Sequence, residues 1–122
     1  MRYKLAILLN GIAQIEYDRE VALDAKLADY LDKMDSKMDI GISIGEQQIT
    51  SPTAEQKAEF VASNLYHAIK GDNEAMASAM TSYLAVRIAD LKQVKFSDKD
   101  GNVSIELVYD EEYGNQVAVQ FN

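Results

Sequence analysis

The chain has 122 residues, 48% of them apolar, and a formal net charge of −8. That length sets a single domain, 1–122, as the expectation, with enough apolar side chain to close a core unaided by staples. Cysteine is absent, which excludes disulfides, thiolate metal sites and cysteine nucleophiles, and the acid surplus argues against direct nucleic acid binding.

The first nine residues, MRYKLAILL, are basic and then apolar. The apolar run Leu5–Leu9 stops at Asn10-Gly11, too soon for a signal-peptide core or a bilayer span. The expectation is a mature, soluble, cytoplasmic protein with no membrane contact.

Residues 3–16 admit two readings. Asn10-Gly11 is the dipeptide of a tight hairpin turn. In regular register that hairpin pairs Leu9 with Ile12, Ile7 with Gln14 and Leu5 with Glu16, a face that mixes apolar and charged groups. As a helix, Leu5, Leu8, Leu9, Ile12 and Ile15 share one side, at about 1 kcal/mol for an internal Gly11. The helix is the preferred reading.

A second helix is expected over 18–39, capped by Asp18, with Leu23, Leu27, Tyr30, Leu31, Met34 and Met38 as its apolar stripe and Gly41 as its stop. Residues 42–50, ISIGEQQIT, suggest a short hairpin around Gly45-Glu46. Ser51-Pro52 then signals a helix over 52–70, with Ser51 as cap and Pro52 in the first turn. Gly71 suits a left-handed residue after its end, and Asp72 a cap for a further helix over 73–92.

That last helix reads as the centre of the fold. Ala75–Val86 carries no charge. Met76, Met80, Tyr83, Leu84, Ile88 and Leu91 form a large stripe, with Ala75, Ala79, Ser82, Val86 and Ala89 as a small one beside it. After Lys92 the apolar period drops to two. Strands are expected over 94–97, 102–109 and 115–121, as a three-stranded antiparallel meander with one apolar face. The fold class is therefore α+β: three to four helices (about 3–16, 18–39, 52–70 and 73–92) packed on that meander.

Residue types that carry chemistry are sparse. The single histidine, His67, points away from its helix's apolar stripe. Asp29, Asp32, Asp35 and Asp39 share an arc of one helix, with Lys33 placed to pair with Asp29. With Asp110-Glu111-Glu112 they form the candidate surface for a basic partner. A metal reading of the arc is weaker, because hard cations take ligands from several elements. Aligning Gly101 with the glycine of a calcium loop puts Phe96 first and Leu107 last, so Asp98–Asn102 reads as a turn. Arg87, the one cation inside the uncharged-looking helix, is a candidate for an ion pair or an anion contact. No phosphate loop, nucleophile elbow or zinc motif occurs, and no catalytic residue, metal or cofactor is assigned.

Three functions remain. The first is a protein–protein interaction or regulatory module, with a second copy of the chain among its partners. The alternative is an acidic inhibitor that mimics nucleic acid toward a basic partner. The third is a small enzyme using aspartate and tyrosine groups in a pocket.

Overall fold

The computed structural model describes residues 4–19 and 24–113. It is α+β. Among the described residues it holds three α-helices, a mixed four-stranded sheet and a two-stranded ribbon. The chain divides into two compact units, Ala22–Leu84, and Met1–Val21 with Ala85–Asn122.

In the helical unit, α1 (Ala25–Ile40) begins at Asp24, whose carboxylate accepts the Leu27 N–H at 2.8 Å. The expected cap, Asp18, lies before the helix rather than at its start, and helix 18–39 is corrected accordingly. Strands β3 (Ile42–Ile44) and β4 (Gln47–Ile49) form the short hairpin that the sequence suggests, with Ile42 opposite Ile49. Helix α2 (Ala54–Lys70) starts two residues later than expected. Thr53 and Gln56 form a capping box: the Thr53 hydroxyl accepts from the Gln56 N–H, and the Gln56 amide oxygen accepts from the Thr53 N–H. This reciprocal pair satisfies two otherwise orphaned donors, which Ser51 alone could not do.

The α2–α3 joint also differs by one residue from expectation. Gly71 keeps an ordinary negative φ of −92°, and Asp72 takes the left-handed position with φ 54°. The N–H groups of Asp72 and Asn73 then donate to the carbonyls of Ile69 and Ala68, the double closure of a Schellman end. Asn73 also caps α3 (Glu74–Arg87), its amide oxygen accepting from the Met76 N–H. One residue thus closes one helix with its backbone and opens the next with its side chain.

Helix α3 stops at Arg87, short of the expected Lys92. Its middle is enclosed all round, because Met80–Ala85 are six consecutive buried residues. Buried Thr81 and Ser82 satisfy their hydroxyls by donating to the carbonyls of Ala77 and Ser78, one turn back. The apolar stripe does not hold over its whole length: Met76, near the start, is 43% exposed.

In the sheet unit, the preferred helix over 3–16 is overturned. Residues Leu5–Leu9 form β1 and Ile12–Tyr17 form β2, joined by Asn10-Gly11 with φ 50° and 83°. Positive φ at both turn residues is the geometry that favours this dipeptide. The mixed face that counted against the hairpin is removed by a bulge. Leu9 faces Ile12 and Leu8 faces Ala13, but beyond the bulge Ile7 faces Ile15 and Leu5 faces Tyr17. One extra residue, Gln14, returns the apolar side chains to a common face.

Strands β5 (Gln93–Ser97) and β6 (Ser104–Val108) complete the sheet in the order β2-β1-β5-β6. The β5–β6 pair is antiparallel, as expected, but β5 also pairs in parallel with β1. The sheet is therefore mixed, and a purely antiparallel C-terminal meander is corrected; the third expected strand, 115–121, lies outside the described residues. Leu5, Ala6, Ile7 and Leu8 are all buried, so β1, antiparallel to β2 and parallel to β5, is covered on both faces. Such a strand reads as an unbroken apolar run, and that run resembles a buried helix segment.

Candidate functional site

The densest polar cluster in the helical unit is built on the aspartate arc. Asp35 and Asp39 are one turn apart on α1, and both accept from the Lys57 ammonium on α2, at 3.2 Å and 2.7 Å. Tyr83 of α3 donates its hydroxyl to Asp35. The cluster therefore ties all three helices of this unit through one cation and one phenol. The Lys57 side chain is 14% exposed. Hydrogen bonding to Asp39 raises its pKa above the ordinary 10.5, against the opposing pull of burial, and Asp35 adds to the rise. A lysine held charged in this way is a strut and not a nucleophile, because nucleophilic lysines need their pKa lowered.

The rest of the arc behaves differently. Asp29 pairs with Lys33 in the open, with side chains 67% and 74% exposed. Asp32 is exposed on the same helix. The structure thus separates the four aspartates by partner: Asp35, half-buried, and Asp39, 61% exposed, share the Lys57 ammonium, while Asp29 pairs locally on its own helix. Among the described residues no group of three histidine, cysteine or acidic side chains is arranged to hold a metal ion.

In the sheet unit, the acidic turn is anchored through its carbonyls. Lys92 donates its ammonium to the Tyr109 carbonyl, and Gln93 donates its side-chain amide to the Glu111 carbonyl. Asp110 and Glu111 remain exposed and Glu112 is half-buried. Gln93 is fully buried on the central strand β5, and its amide oxygen finds no donor among the described residues. Arg87 is exposed in the last turn of α3, where a cation suits the helix dipole. His67 is exposed, as its angular position requires, and meets Tyr66 edge-on at 5.4 Å.

Among the described residues of this unit the buried cation is Arg19. It donates Nε to the Ala85 carbonyl at 2.9 Å and Nη2 to the Ile88 carbonyl at 3.0 Å. These carbonyls stand at the end of α3, where a helix leaves acceptors without intrahelical donors. No glycine or proline occurs between Val86 and Lys92 to make a conventional stop, and the guanidinium fork supplies it. That missing stop signal could have drawn attention to Arg19. For Tyr83, the signal was a phenol on a core stripe, since buried tyrosine hydroxyls need a partner. Nothing local marked Lys57.

No protein-family model matches the chain, and no curated protein or solved structure matches it significantly. Among the described residues no helix is long and apolar enough to cross a membrane.

Proposed function

We propose that the chain is a small protein–protein interaction or regulatory module whose contact surface is the apolar strip along β6, with a second copy of the chain as the first partner to test. One observation carries the reading. Phe96 and Val94 are buried on β5, and their cross-strand neighbours Ile105 and Leu107 continue the same apolar face outward. Ile105 is 37% exposed, and Val103, two residues before it, is 52% exposed. Large aliphatic side chains left wet beside a buried apolar face are the kind of surface that partner binding covers. Asp35 and Asp39 are engaged by Lys57, which leaves fewer acids for the alternative role as an acidic inhibitor of a basic partner.

The test is light scattering across a concentration series, for the natural chain and for Ile105→Glu and Val103→Glu. Concentration-dependent dimerisation that either glutamate abolishes, with unchanged circular dichroism, supports the reading. A natural chain that stays monomeric, or a dimer indifferent to both substitutions, overturns this surface as the dimer contact. Weakening of any captured complex by salt, and not by these substitutions, favours the acidic alternative.

A further inference from the structure

The β1–β2 turn carries the chain's one Asn-Gly pair. Asn10 is exposed, and glycine puts no side chain in the way of its own backbone nitrogen. In such a pair the Gly11 nitrogen can attack the Asn10 side-chain carbonyl carbon. The N–Cγ bond forms, the Cγ–Nδ2 bond breaks, and ammonia leaves carrying the proton lost from the Gly11 amide. Water then opens the cyclic imide at either carbonyl, giving aspartate or isoaspartate at position 10. The net change is amide plus water to acid plus ammonia.

In the folded chain both polar atoms of the Asn10 side chain are engaged elsewhere. Its Nδ2 donates to the Asp98 carboxylate at 2.8 Å, and its Oδ1 accepts from the Asp98 backbone N–H at 3.1 Å. The Asn10 N–H donates to the Phe96 carbonyl at 2.8 Å. The side chain is thus drawn to the exit of β5, and its neighbouring backbone is fixed in a turn with φ 50°. Cyclisation requires breaking both side-chain bonds and rotating that turn. We propose that Asn10-Gly11 is a latent deamidation site that the Asp98 clamp holds closed, so that opening of the clamp exposes the hairpin to irreversible ageing.

The product cannot rebuild the clamp. A carboxylate at position 10 would turn an acceptor toward Asp98 where Nδ2 now donates, setting two anions at hydrogen-bond distance. Isoaspartate would add a backbone atom to a two-residue turn whose length sets the β1–β2 register.

Peptide mapping by mass spectrometry, in mildly alkaline buffer, reads the rate of amide loss and the isoaspartate fraction. The natural chain, Asp98→Ala and Asp98→Asn are compared with the natural chain in unfolding urea. Asp98→Ala is expected to age roughly tenfold faster than the folded natural chain, equivalent to about 1.4 kcal/mol, the scale of one hydrogen bond to a charged group. Asp98→Asn keeps an acceptor without the charge and should fall between them. Should circular dichroism find Asp98→Ala unfolded, Asp98→Asn carries the comparison. A folded natural chain that ages as fast as these variants, or as fast as in urea, overturns the proposal.

Discussion

The helical unit and the sheet unit hold their polar groups by opposite strategies. In the helical unit three successive helices meet at Asp35, which accepts from Lys57 and from Tyr83, and the lysine finds both of its carboxylates on the preceding long helix. In the sheet unit Lys92 and Gln93 bind within the C-terminal segment, but two partnerships span most of the sequence: Arg19 reaches Ala85 and Ile88, and Asn10 reaches Asp98, 88 residues on. The first arrangement closes short loops, and the second must close long ones before any contact repays the entropy. The exposed Lys33–Asp29 pair adds a third case, local and wet. Depth and partner count, more than charge itself, decide what a pair contributes.

The strongest way to break the comparison is to hollow out each unit. Ile7→Ala in β1 and Leu31→Ala in α1 remove fully buried aliphatic side chains, and each should cost about 2–5 kcal/mol in urea unfolding. A much smaller loss for Ile7 would mean that β1 is not the spine of its sheet. Next comes Arg19→Met, which keeps the aliphatic stem but releases two helix-end carbonyls. It should cost about 2–3 kcal/mol, and Arg19→Lys should recover little, because one ammonium cannot reproduce the Nε and Nη2 fork.

Lys57→Met leaves Asp35 and Asp39 facing each other without their cation. A loss of about 1–3 kcal/mol is expected, below that of a fully buried pair because Asp39 stays 61% exposed. The same strut has a pH signature. Because the folded pKa of Lys57 is raised, its contribution is complete below the free-lysine value of 10.5 and is lost as pH climbs through the higher folded value. The natural chain should therefore lose stability faster than Lys57→Met in strongly alkaline urea titrations; parallel curves would show that the strut contributes nothing. The smallest effect belongs to Lys33→Met, at most about 0.5 kcal/mol and fading with salt.

What could be read from the sequence follows the same divide. Helices α1 and α2 announced themselves through local period and nearby turn residues, although their caps fell at Asp24 and Thr53 instead of Asp18 and Ser51. The strands β5 and β6 were legible because one face of each is apolar by alternation. Strand β1 was not: Leu5–Leu8 is buried on both faces and so shows no alternation, and the bulge at Gln14 hid the register that makes the hairpin consistent. Its parallel pairing with β5 leaves no local trace at all. The aspartate arc was visible as an arc, but which two of its members are bound across helices depended on Lys57 and Tyr83, and those arrive from other helices.

The long separation between β1 and β5 also bears on how the chain is made. A ribosome releases β1 and β2 early, yet the neighbour that pairs with β1 along its inner edge follows more than eighty residues later. At about 5–20 residues per second that is on the order of ten seconds. For that interval the nascent hairpin carries an apolar edge strand without its partner, and the surroundings of the exit tunnel, including any chaperone waiting there, meet it first.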